Sequence, residues 1–112
     1  MASLLPEDAN GNPIPALTFK DSGAHKVNID TVTSARNTGA FSTKTDVISI
    51  YSTEDCFVKI GTSSVTATTS DHFIPAGIYL DIAIGPNADT QNAYMAIIAA
   101  NASGTVYISE KE

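Results

Sequence analysis

The sequence predicts an all-β fold: a small antiparallel β-sandwich or jelly roll of about seven or eight strands, preceded by an extended N-terminal arm. Three observations carry this expectation. Ile and Val number 12 and 6 against only 4 Leu, and β-branched side chains suit a pleated surface better than a helix. Ser and Thr number 11 and 13, while charged residues make up only 16% of the chain, below the roughly 25% of an average domain. Short apolar–polar alternations recur with turn signals between them. A length of 112 residues with 43% hydrophobic content suits one domain with a modest core.

Residues 1–21 read as the arm and residues 22–112 as the sandwich domain. Pro6, Pro13 and Pro15 remove amide donors and push the residues before them toward extended backbone, and Asn10-Gly11-Asn12 is a turn signal. The segment nevertheless carries Leu4, Leu5, Ile14, Leu17 and Phe19. A solvated tail has no use for so many large apolar groups. They are the candidate partner-binding residues, laid on a neighbouring subunit or on the edge of their own domain. The prolines confine strand pairing to residues 16–20 and 3–5.

Beyond the arm, residues 25–32 alternate with Val27 and Ile29 on one face. The polar stretch 36–45, with Gly39 and a lone Phe41, leaves room for one short edge strand. Residues 47–51 form a strong strand, Ser52-Thr53-Glu54-Asp55 a polar turn, and residues 56–60 a second strand; the two read as a β-hairpin. Residues 62–71 are hydroxyl-rich loop, and Pro75-Ala76-Gly77 is a turn. Ile78, Leu80, Ile82 and Ile84 then alternate inward against Tyr79, Asp81 and Ala83. The spacing of Tyr94, Ile97 and Ile98 permits a helix, but a short run bounded by Asn101-Ala102-Ser103-Gly104 favours a strand over 93–100. Residues 105–109 close the chain as another strand. Val47, Ile48, Ile50, Val58, Ile60, Leu80, Ile82, Ile97 and Ile108 are the expected core.

Twelve acids against six bases give a net charge of −6. The bases (Lys20, Lys26, Arg36, Lys44, Lys59, Lys111) are scattered, which argues against nucleic-acid binding. The opening residues lack the basic and apolar regions of a signal peptide, and no apolar run is long enough for a membrane span. Cys56, the lone cysteine, reads as a small buried hydrophobe. Ser70-Asp71-His72 has the residue types of a hydrolase triad, but neighbours in a strand point to opposite faces and cannot converge. Asp71 reads instead as a turn residue. Asp8-Ala9-Asn10-Gly11-Asn12 opens like a calcium loop, yet Pro13 replaces the required glycine and Phe19 the bidentate glutamate. His25 and His72 lack companions spaced for zinc. The Asn101-Ala102-Ser103 sequon matters only in a secretory pathway. No cofactor, metal or catalytic residue is expected, and the protein reads as a non-enzyme.

The stretch Asp55-Cys56-Phe57-Val58-Lys59-Ile60-Gly61 is followed by Ser64-Val65-Thr66-Ala67-Thr68-Thr69-Ser70-Asp71-His72-Phe73-Ile74-Pro75-Ala76-Gly77. Together they resemble small accessory virion proteins of tailed bacteriophages. The opening Asp8-Ala9-Asn10-Gly11-Asn12-Pro13-Ile14 is similar to theirs, and the ending from Ile97-Ile98-Ala99-Ala100 through Ser103-Gly104-Thr105-Val106-Tyr107-Ile108-Ser109-Glu110 resembles their C-terminal hairpin. The resemblance implies a β-rich structural protein on the particle exterior, made in the host cytoplasm. It points first to a capsid decoration (cement) protein stabilising the head. Its partners would be the major capsid protein or other virion subunits, and its assembly a homotrimer. A neck, tail or fibre-base adaptor is an alternative. So is a carbohydrate- or host-surface-binding module, for which Tyr51, Tyr79 and Tyr107 offer the only platform.

Overall fold

The computed structural model describes residues 9–11, 17–85 and 93–112. Leu4, Leu5 and Ile14 of the expected arm, and the start of the calcium-like stretch, lie outside the described residues. Within them the chain forms β1 (Phe19–Ile29), β2 (Ala35–Arg36), β3 (Val47–Ser52), β4 (Cys56–Gly61), β5 (His72–Ile74), β6 (Tyr79–Ala83), β7 (Tyr94–Ala99) and β8 (Gly104–Lys111). Two four-stranded antiparallel sheets result, ordered β1-β8-β3-β6 and β2-β7-β4-β5. Their inner faces share one core. Val27, Ile48, Ile50, Val106 and Ile108 of the first sheet meet Cys56, Val58, Met95 and Ile97 of the second. This is the all-β sandwich that composition and periodicity predict.

The pairing of strands differs from the sequence reading in two places. Residues 47–51 and 56–60 do not form a hairpin, because β3 pairs with β6 and β8 whereas β4 pairs with β5 and β7. The C-terminal strands are likewise no hairpin: β7 lies in the second sheet and β8 in the first. Both short connections are corners that carry the chain from one sheet to the other. An alternating pattern with a polar turn looks the same in either case, since it specifies an inward face and not a partner. The corners brace each other, Thr53 N–H donating to the Thr105 carbonyl at 3.0 Å and Ala100 N–H to that of Asp55 at 2.9 Å. Gly104 is required there, because a Cβ would come within 2.7 Å of side-chain atoms of Thr53 and Glu54.

β1 begins at Phe19, so residues 19–21, read as arm, belong to the sheet. Its pairing with β8 jumps from Phe19↔Lys111 to Ala24↔Ser109, leaving residues 20–23 opposite Glu110 alone. Ser22 takes a left-handed φ of 60° at this bulge. Gly23 beside it has no room for a side chain, since a Cβ would lie 3.0 Å from the Glu110 Cβ.

Five of the nine expected core residues (Ile48, Ile50, Val58, Ile97, Ile108) are buried, and Ile60 and Ile82 pack partly buried against them. Leu80 and Ile78 lie on the expected inward-facing side, yet Leu80 is 37% exposed and Ile78 is exposed too. The sandwich is open where β6 faces β5. Val47 is half-buried, out of phase with Ile48 and Ile50. The core also takes in Phe41, Ile74, Ile84 and Met95, which alternation in isolated strands does not reveal. β7 is a strand, as expected, and Met95 through Ala99 are buried on both faces. Its outer face is covered by the 62–71 loop, whose Ala67 and Val65 pack on Ala96, Ile98 and Phe57.

Ile48→Ala should therefore cost about 3 kcal/mol, whereas Leu80→Ala should cost under about 1 kcal/mol. Urea unfolding of the two variants measures both; equal losses would mean that the β6 side of the core is closed.

Candidate interaction surfaces

The arm meets the domain where Thr18 exchanges backbone hydrogen bonds with Glu112, at 3.1 and 3.0 Å. Of the apolar residues read as arm, Leu17 is 49% exposed and Phe19, which the structure makes the first residue of β1, is 68% exposed. Phe19 lies beside Lys111, whose Nζ is 5.5 Å from the ring centroid.

Lys111 leads onto the outer face of the first sheet. Its ammonium sits 3.0 Å from Asp81 and 5.5 Å from the Tyr79 ring. The Ser49 hydroxyl also donates to Asp81. That hydroxyl first, and Lys111 second, hold the Asp81 carboxyl below its ordinary range. One step along the strands, cross-strand register sets Tyr79 opposite Tyr51 and Tyr51 opposite Tyr107, with Lys26 next in line. All three tyrosines are exposed. With strands about 4.8 Å apart, the row is about 10 Å long. The three tyrosines singled out in the sequence are thus brought together on one face, which no single strand pattern could show.

A third surface is the open side of the sandwich. Between β5 and β6 lies an apolar cleft of about 390 Å³, walled by Val58, Ile60, Phe73, Leu80, Ile82 and Met95, with His72 and Ile74 also lining it. Phe73 stands exposed at its mouth.

Polar residues elsewhere are occupied structurally. Asp71 Oδ2 accepts from Thr68 N–H at 2.7 Å, the turn role expected of it, and His72 is an exposed β5 residue. The Ser70-Asp71-His72 run therefore bends around a turn. Cys56 is fully buried; burial above all pushes its thiol up, with Asp55 adding to the rise and a Ser52 hydrogen bond opposing it. His25 and His72 serve different places. His25 Nε2 lies 2.7 Å from Glu110 Oε2, with its ring edge-to-face on Phe41 at 5.2 Å. The other Glu110 oxygen accepts from Ser42 N–H and the Thr45 hydroxyl, both at 2.7 Å. Asn37, also buried, spans to β7 by accepting from Met95 N–H at 2.9 Å and donating to the Ala93 carbonyl at 3.3 Å. Sequence reading missed both hubs, because an isolated Glu or Asn in a polar run carries no periodic signal. Among the described residues no three His, Cys, Asp or Glu side chains converge as a metal site would require.

Compared with protein-family models, with curated proteins and with solved structures, the chain matches none.

Burial alone would raise the Glu110 carboxyl, but the hydrogen bonds from His25, Thr45 and Ser42 outweigh it and hold it below its ordinary value of 4.5. A carboxyl depressed by folding contributes stability above its unfolded pKa and loses it as pH falls through the folded one. Thermal melts should drop in acid below about pH 4.5. Glu110→Gln should cost about 2 kcal/mol near neutrality and flatten that acid limb; an unchanged limb would assign it to other carboxylates.

Proposed function

We propose that the protein is a non-enzymatic structural protein of a phage particle, most specifically a capsid decoration (cement) protein on the outside of the head. One observation supports this above the others. The apolar side chains at the root of the arm, Leu17 and Phe19, face solvent instead of their own core, as a segment that grips another subunit requires. Burial against a partner would remove this apolar surface from water, and extended segments bind sheet edges through main-chain hydrogen bonds. The major capsid protein, or another virion subunit, is the proposed partner. Neither nucleic acid nor membrane enters this reading.

The test is the full-length double variant Leu17→Ser, Phe19→Ser, at two exposed positions. It should melt within a few degrees of the wild type yet fail to bind particles. Unfolding or aggregation would return both side chains to their own domain. Quantitative gels of purified particles should show copies comparable in number to the capsid subunits. The small number expected of a neck, tail or fibre-base ring would favour the adaptor role instead.

The tyrosine row supports a second reading, a carbohydrate- or host-surface-binding module. Aromatic rings backed by a neutralised Asp81–Lys111 pair offer apolar contact and hydrogen-bonding groups without net charge. If glycans bind there, a glycan array should register it, and Tyr51→Ala at the centre of the row should weaken binding about tenfold, or ~1.4 kcal/mol. Absence of any glycan signal would remove this reading.

A further inference from the structure

The charges on the outer face of the first sheet are unevenly placed. Outside the bulge at residues 20–23, the outward positions of β1, β8, β3 and β6 carry one acid, Asp81, and two bases, Lys26 and Lys111. Asp81 and Lys111 pair with each other. Lys26 is exposed and has no ion-pair partner among the described residues. A chain of net charge −6 thus turns one uncompensated cation to solvent here. It stands at the end of the tyrosine row, directly across from Tyr107.

Polar groups border the row on both sides. Two residues along one way, Asn28 lies opposite Thr105, whose hydroxyl donates to Asn28 Oδ1 at 3.4 Å. The amide N–H groups of the Asn28 side chain have no partner among the described residues. The other way, Ser49 lies opposite Ser109, between the tyrosines and the Asp81–Lys111 pair. Ser49 is buried and Ser109 half-buried, so the exposed rings rise beside a shallow, hydroxyl-lined floor. Neighbouring strands lie about 4.8 Å apart, and from Tyr79 to Lys26 the row spans about 14 Å.

These features select a ligand class. A tyrosine offers a flat apolar surface with a polar tip, and the C–H face of a pyranose covers such a ring while its hydroxyls reach sideways. The strand spacing is close to the length of one sugar unit, so successive sugars meet successive rings. Their hydroxyls would find Asn28 and Thr105 on one border, Ser109 and Asp81 on the other. A row without enclosing walls suits a chain laid across the strands better than a small molecule, which binds in a concave site. At the end of the row an ammonium makes charge-assisted hydrogen bonds with a carboxylate, roughly twice as strong as neutral ones.

We infer that the Tyr79–Tyr51–Tyr107–Lys26 row binds an oligosaccharide carrying one acidic sugar, with neutral sugars stacked on the tyrosines and the carboxylate on the Lys26 ammonium. One acid per ligand matches one cation per site, because the net charge of the chain repels polyanions. The inference rests on the glycan-binding reading above and names its ligand; it does not depend on the virion role.

A glycan array that pairs oligosaccharides ending in a uronic or sialic acid with their neutral counterparts tests it. The wild type should prefer the acidic member by about tenfold, the worth of one such bond. Lys26→Gln, at an exposed position, should erase the preference, and Lys26→Arg should keep it. Added salt should weaken binding of acidic glycans by the wild type and not by Lys26→Gln. Equal binding of acidic and neutral members, or a preference that survives Lys26→Gln, overturns the inference and leaves the glycan-binding reading standing. No signal from any glycan removes both.

Discussion

A single buried carboxylate fixes the end of the sandwich from which the arm departs. Glu110 is 3% exposed, and a charge so placed persists only when its oxygens are fully engaged. From its place on β8 it is engaged by two separate pieces of chain: His25 of β1, and Ser42 and Thr45 of the β2–β3 connection. Those contacts draw Phe41 under the His25 ring and so close the core at this end. They also explain the bulge. β1 must pass Glu110 without a side chain in its way, which Gly23 allows and the left-handed turn at Ser22 arranges. The residues that follow Glu110, Lys111 and Glu112, then hold Phe19 and Thr18. The direction in which the arm leaves the domain is thus set by a carboxylate in its interior.

The two sheets differ in how their outer faces are treated. The second sheet is covered by the 62–71 loop, and β7 accordingly has no polar face; its Ala-Ile-Ile-Ala run is buried throughout. The first sheet has no such cover among the described residues. Its outward positions carry tyrosines and the Asp81–Lys111 pair, groups that tolerate water and still offer contact area. One sequence thereby builds a covered side and a side that is bare among the described residues.

What the sequence revealed divides along the same physical lines. Strand existence was legible wherever period two was clean, as at Ile48 and Ile50 or Val106 and Ile108, because alternation is a local property. The choice of strand over helix at β7 was legible from its length and flanking turns. Pairing was not: Ser52-Thr53-Glu54-Asp55 is an acceptable hairpin turn, and only the facing sheet makes it a corner. Leu80 illustrates a second limit. Its phase identifies the inward face correctly, but how far a face is covered depends on how closely β5 approaches β6. Asn37 and Glu110 mark a third. Their importance comes from partners distant in sequence, and a lone polar residue in a polar stretch announces nothing. The tyrosines stood between these cases, recognisable as a set but assembled into a row only by register.

An open edge with apolar walls is a hazard, since strands that add without limit give fibres. Two features of this chain work against that outcome. Its charge of −6 places a repulsion between copies that grows with each one added. The other is local: β6 carries Asp81 at its centre, and a charge on an edge strand disfavours pairing with a further strand.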